Sequence, residues 1–420
     1  MKYILSIILF FLLAGSLFAQ NEQDQVIFKA MQDEMQRSKD QLMLPGMQKP
    51  YYLSYTLGRT RQFEVVGALG GITNFYESPW SAVGGVQMFL GDYDRNNDVN
   101  YACASIQAGM PEQADYDVIR RNFWLGSDAM YKWSLQAGAM KDAYLKATPK
   151  TAEEAAVKDQ QKVAAVTRIE EPKTAYTIDR AKLEGIVEEL SAIFKGYKDI
   201  YDSSVAITGQ EMEVYKSTTD GVVLKEPLRY ASLVVSAYVM TEDGVRIDDA
   251  YSVLVARPDD LPSLDELKKG VKVFADNLIK LKNAPAITEY YAGPVLLEDG
   301  ACSSVFISNF LKRGALFAYR KPDTDRAQSV KTLDARLGMK IVDNRVSIKN
   351  YSSLDKYNGV PLLGAYNIDA EGVVPAKEMT LVDHGIFKSM LNGCIPTLYA
   401  PQSTGSSRFL LSSSNGMFAT

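Results

Sequence analysis

Apolar residues recur along the chain at two spacings, and the switches between them mark the elements. Ile27, Met31, Ser38 and Leu42 lie near one face of a helical repeat over Asp24 to Leu42, which Pro45-Gly46 stops. Tyr51 to Leu57, Gln62 to Gly70, Ile72 to Tyr76 and Gly85 to Leu90 then alternate or are β-branched and aromatic. Gly58, Gly70-Gly71 and Ser78-Pro79 separate them, which predicts the strands of a meander. Asp115 to Ala147 predicts a long helix carrying Phe123, Trp124, Tyr131, Trp133 and Leu135, with both tryptophans in the core. Lys146 to Pro172 is poor in aromatics and rich in Ala, Glu, Gln and Lys, and reads as an exposed, peripheral connector.

The pattern sharpens from Asp179, an N-cap for a helix whose core face is Leu183, Ile186, Val187, Leu190, Ile193, Phe194 and Tyr197. Strands follow at Ser203 to Thr208, Gln210 to Ser217, Val222 to Leu224 and Arg229 to Thr241. Asp220-Gly221 and Asp243-Gly244 make hairpin turns, because glycine accepts the positive φ such turns need. Ser263 and Glu266 form a capping box ahead of a helix striped by Leu267, Val271, Phe274, Leu278 and Leu281. Beyond Pro285, short strands are predicted at Val295 to Leu297, Leu337 to Val342, Ser347 to Asn350, Glu378 to Asp383 and Ile386 to Leu391. The expected class is α+β: a mixed helix and antiparallel-sheet domain over residues 20–285, with 146–172 as its connector, then a β-rich domain over 286–420.

Two features place the chain in a compartment. Lys2, the apolar run Ile4 to Leu13 and the small residues Ala14, Gly15 and Ser16 have the form of a signal peptide, residues 1–19, cleaved after Ala19. The run is too short to span the hydrocarbon of a bilayer, so the expected product is periplasmic or extracellular without stable membrane insertion. The three cysteines, Cys103, Cys302 and Cys394, stand far apart among apolar neighbours; they allow one disulfide at most, and three buried thiols are the simpler account. A net charge of −5, with Lys and Arg scattered, gives no footprint for nucleic acid.

Candidate chemistry is sparse. His384 is the single histidine; with Cys394 it offers two legs of a metal site, but an Asp-His-Gly turn is more simply a solvated hairpin tip. Asp369 and Glu371 are candidates for an acid/base pair or a peptide cleft, although Asp-x-Glu-Gly is also a turn composition. Asp92, Asp94, Asn96 and Asp98 have calcium-loop spacing, but Asn97 and Cys103 stand where such a loop needs Gly and Glu, which favours a polar turn. Ser303-Ser304 and Ser406-Ser407 lack a histidine other than His384 to activate a nucleophile.

The runs Tyr290 to Glu298 (YYAGPVLLE), Leu337 to Val342, Ile368 to Pro375 (IDAEGVVP), Leu381 to Lys388 (LVDHGIFK) and Thr404 to Arg408 (TGSSR) resemble, in order and spacing, the TldD/PmbA family. Pro50 to Tyr55 and Val86 to Tyr93 resemble exported TldD-related proteins. The resemblance implies a peptidase-related fold and, relative to the family, a C-terminal domain that is incomplete at Thr420. Members of the TldD type hold zinc on a helix bearing HExxxH plus a later cysteine, since a metal-bound water is what titrates near neutrality. Here Asp299 to Ser308 reads DGACSSVFIS, and one histidine cannot supply two. The chain therefore resembles the PmbA-type half, without metal or cofactor of its own, beside a zinc-bearing TldD-type partner. Two functions follow as expectations: a peptide-binding subunit of a proteolytic complex, or a non-enzymatic exported binding or scaffold protein. Autonomous zinc hydrolysis is a third, and requires about one zinc per chain.

Overall fold

The computed structural model describes residues 22–99, 104–106, 110–286, 288–311, 315–325, 332–412 and 416–419. The expected signal peptide and Cys103 lie outside the described residues. Helix α1, Glu22–Gln41, leads into β1, Pro50–Ala68, β2, Gly71–Glu77, β3, Ser81–Leu90, and β4, Ala104–Ile106. Then come α2, Tyr116–Ala147, the short α3, Ala152–Ala155, and β5, Val166–Ile169. Helix α4, Arg180–Ala192, precedes β6, Ile200–Thr218, β7, Val222–Met240, β8, Arg246–Val255, and α5, Leu264–Lys282.

These strands form one eight-stranded sheet, ordered β4-β3-β1-β6-β7-β5, with β2 also on β1 and β8 also on β7. All pairs are antiparallel except β5 with β7. The sequence breaks expected within β1, β6 and β7 are absent: each is 19 residues long and runs through Gly58, Gly209 and Glu226 respectively. Gly209 stays in its strand because the Phe63 ring and the Tyr176 hydroxyl occupy the space a Cβ would take. Close backbone approach, not a turn, is what that glycine serves.

Odd-numbered residues of β1 face the helices throughout, so one face of the sheet carries two cores side by side. Leu53, Tyr55 and Leu57 pack with α1 and α2 through Ile27, Met31, Phe123 and Tyr131. Phe63 and Val65 pack with α4 and α5 through Leu183, Val187, Leu267, Val271 and Leu278. The caps are those the sequence signals: Asp179 accepts from Lys182 N at 3.1 Å, and Ser263 and Glu266 close a reciprocal capping box. Trp133 packs against its core, but Trp124 is 47% exposed, with the Arg37 guanidinium 5.8 Å from its ring centroid. The expectation of two core tryptophans fails at Trp124, which falls on the solvent side of α2. Among the described residues no helix is long and apolar enough to cross a membrane.

The connector is largely exposed, as expected, but it is tied to both parts of the chain. Its β5 joins the main sheet, and Gln160 and the side chain of Asp159 are buried. Gln161 N donates to Cys394 O at 2.9 Å, and its side chain accepts from Ser403 N at 2.6 Å. Low aromatic content hid a segment fixed by polar bonds.

The C-terminal region holds α6, Asp299–Phe306, β9, Ile348–Asn350, β10, Lys356–Tyr357, β11, Val360–Pro361, β12, Met379–Asp383, β13, Ile386–Phe387, β14, Phe409–Ser412, and β15, Gly416–Ala419. Its core is thin: Leu316, Leu381, Val382, Phe387 and Met390. Val295 to Leu297 is no strand, because no neighbour among the described residues takes its backbone groups; Leu337 to Val342 contributes only a bridge at Lys340, and the strand expected over 386–391 ends at Phe387. Phe409 meets Met212 and Val214, even-numbered positions on the face of the sheet away from the helices.

Candidate functional site

Asp369 and Glu371 sit together at the joint between the C-terminal region and the sheet. The Asp369 side chain accepts from three backbone amides, Glu371 N at 2.9 Å, Val373 N at 2.8 Å and Ser407 N at 3.2 Å. Glu371 Oε2 accepts from Cys394 N at 2.5 Å and from the Ser407 hydroxyl at 2.7 Å. Lys216 of β6 donates to Ala370 O at 2.7 Å. The turn closes at Gly372, φ +91°, where a Cβ would lie 2.7 Å from Val222 of β7. Asp369 is almost fully buried; burial, then the Glu371 charge, push its carboxyl up to about 6, against the pull of the three amides. Burial and the Glu371 carboxylate push the Cys394 thiol well above its ordinary value. Their oxygens are turned onto amides and a hydroxyl, which ties the Asp369–Gly372 turn to Ser407 and Cys394.

His384 lies elsewhere, at the tip of the β12–β13 hairpin with φ +45°. Its side chain is 81% exposed, and among the described residues Nδ1 meets only its neighbour Asp383, at 2.8 Å. Cys394 is buried and free, Cys302 exposed and free on α6. Among the described residues no three His, Cys, Asp or Glu side chains converge as metal ligands. Among the described residues the donors do not converge as zinc needs: the one imidazole faces solvent, and the Cys394 thiol is buried beside a carboxylate already occupied by hydrogen bonds. Ser407 is consumed by Glu371, Ser406 bonds Thr404 at 2.9 Å, and Ser303 and Ser304 are exposed on α6. Around Asp92, the carboxylate accepts from Asp94 N at 2.9 Å and Arg95 N at 2.8 Å, a polar turn.

Two features escape the sequence reading. The first is a charged belt between the two helix-face cores. Arg59 pairs with Glu213 at 2.8 Å, Arg61 with Glu211 at 2.7 Å, and Glu211 also with Arg229, each directly across the strands. Lys225 is buried against Asp24 at 2.7 Å and Glu171 at 2.9 Å. The alternation Arg59-x-Arg61 facing Glu211-x-Glu213 was the available signal.

The second is a cleft of about 370 Å³ at the seam between α2, the connector and the C-terminal region. Tyr144 and Lys150 line one side; Tyr319, Lys321, Asp334 and Tyr399 line the other. Three of its lining residues, Lys150, Arg320 and Asp323, belong to an ion-pair stack. Lys141 of α2 meets Asp159 at 2.6 Å and Asp323 at 3.6 Å, Lys150 meets Asp323 at 2.7 Å, and Arg320 meets Asp159. Such a stack fixes the seam's geometry, because breaking one partner leaves a buried charge uncompensated. No motif announces it: its members come from residues far apart in sequence.

No family model matches the chain, and no curated protein matches it. Solved structures do. A Thermotoga maritima protein described as a candidate modulator of a DNA gyrase superposes with a TM-score of 0.57 at 13% identity, over 93% of this chain and 77% of that one. A Bacteroides thetaiotaomicron protein of like description gives 0.55 at 12%, over 96% and 78%. TldE from Thermococcus kodakarensis gives 0.51 at 12%, over 93% and 76%. At such identities the likeness shows the fold, which is that of the TldD/PmbA type.

Proposed function

Starting from a TldD/PmbA-type fold, we propose that this chain is the subunit without metal of an exported peptide-binding or proteolytic pair, and that a TldD-type partner supplies the zinc. The observation that carries the reading is the histidine. A hydrolytic zinc site needs about three protein ligands and an open position, and the one imidazole of the sequence stands on a solvated hairpin bonded to its neighbour. What the chain offers instead is a preformed cleft, of a size that takes small ligands, at the seam between its two parts. The likeness to TldE supports the choice of partner. In this reading peptide is held here and cut by chemistry on the other chain.

The test is co-expression with a protein carrying HExxxH from the same genome, followed by co-purification and digestion of casein or a short peptide. Cleavage by the pair, and none by this chain alone, supports the reading. Failure of every such protein to co-purify overturns it in favour of a scaffold without enzymatic role.

A further inference from the structure

Three parts of the chain meet at the Asp369-to-Gly372 turn. From β6 of the sheet, the buried Lys216 ammonium donates to Ala370 O, between the two carboxyls. From the connector, Gln161 N donates to Cys394 O at 2.9 Å, and Cys394 N in turn donates to Glu371. Ser407, 2% exposed, bridges the carboxyls: its N–H donates to Asp369 Oδ2 and its hydroxyl to Glu371 Oε2. The packing is close, for a Cβ on Gly393 would fall 2.5 Å from Ser407 Oγ and 2.9 Å from Glu371 Oε2.

With both carboxyls ionised, the charges of the turn do not balance. Among the described residues the ammonium bonded to the turn is that of Lys216. Tyr52 of β1 and the Cys394 thiol face the same carboxyls, and burial followed by the Glu371 charge holds both well above their ordinary range, as neutral groups. Asp220, at the turn between β6 and β7, accepts from Tyr93 and adds negative charge rather than relieving it. Tyr366 feels Asp369 and carries the Arg408 guanidinium 4.0 Å from its ring centroid, but Arg408 is engaged by Glu226 at 3.0 Å. Lys216 therefore answers one carboxylate, and a proton answers the other. Glu371 is half-buried where Asp369 is buried, so Glu371 is the arm with water to turn to.

We propose that this turn is an acid-closed latch: with one proton held by the Asp369 and Glu371 pair it clasps Ser407 and Cys394, and when the proton leaves, Glu371 swings to water and uncovers Cys394. The connector, hooked to Cys394 through Gln161, loosens with it. The sign follows from Asp369, pushed up to about 6 by burial and then by Glu371 in the closed turn, and ordinary at 3.8 once open. Opening becomes easier as pH rises from 5 to about 7, and no easier beyond. The latch needs no partner chain and is independent of the peptide-binding reading.

Pulse labelling of the full chain with N-ethylmaleimide, read by peptide mass spectrometry, tests it. Cys302, exposed and free, is the reference that removes the reagent's own pH dependence. The ratio of Cys394 to Cys302 labelling should rise about tenfold between pH 5 and pH 8 and level off above about pH 7, while far-UV circular dichroism stays unchanged. In Asp369→Asn the ratio should stay level across that range. Glu371→Gln removes the second charge independently and should shrink the rise to under about threefold. Circular dichroism reports whether each variant folds, and should neither do so, the profile of the unaltered chain decides alone. A level ratio in the unaltered chain, a rise of the same size in Asp369→Asn, or a rise that follows a loss of circular dichroism overturns the latch.

Discussion

The helix-covered sheet and the C-terminal region are stabilised in different ways. Under the helices, long elements bury large side chains on one face, as where Phe123 stacks on Tyr55 with ring centroids 4.5 Å apart. In the C-terminal region strands are two to five residues long, the apolar cluster is small, and Asp369, Glu371, Ser407 and Asn392 tie loops to one another through backbone groups. Val295 and Leu296, where a strand was expected, stand 70% and 82% exposed there. One half folds on its apolar periodicity, the other on individual polar bonds.

The comparison breaks first at the sheet. Phe123→Ala removes a fully buried ring and should cost about 4 kcal/mol of unfolding free energy, read by urea denaturation. A loss under about 1 kcal/mol would mean the α1–α2 core is not what holds that half.

The joint comes second, and its signature is pH. The Asp369 carboxyl, raised to about 6 in the folded chain, binds its proton more tightly folded than unfolded. Its stabilising contribution is therefore complete below the unfolded value near 3.8 and is lost as pH rises through about 6, by an upper figure of about 3 kcal/mol. Measured as the difference between the unaltered chain and Asp369→Asn, stability should fall across that window and stay level above it. A flat difference would place Asp369 in water.

Two smaller changes sharpen the contrast. Ser263→Ala removes the cap of α5 and should cost about 1 kcal/mol in thermal or urea unfolding. His384→Ala, on an exposed hairpin tip, should change stability by less than about 0.5 kcal/mol. A larger loss there would point to a bound partner the hairpin needs.

The same contrast explains what the sequence made legible. Leu183, Val187 and Leu190, and Leu267, Val271 and Leu278, announce their helices and buried faces because burial repeats at the helical period. The Asp369-x-Glu371-Gly372 turn was legible as a turn, but its burial was not, since nothing local tells that Lys216 and Val222 of the sheet close over it. The strand expected at Val295 failed because an apolar run needs a neighbour to pair with. Connector residues Asp159 and Gln161 were read as solvated because their partners, Lys141, Arg320 and Cys394, lie elsewhere in the chain.

The central claim is that peptide binding here is separate from metal chemistry, and a metal count on the purified full-length chain tests it most directly. The account predicts well under one zinc per chain after dialysis, and peptide binding unchanged by a chelator. One tightly held zinc per chain, with peptide cleavage lost on chelation, would contradict it.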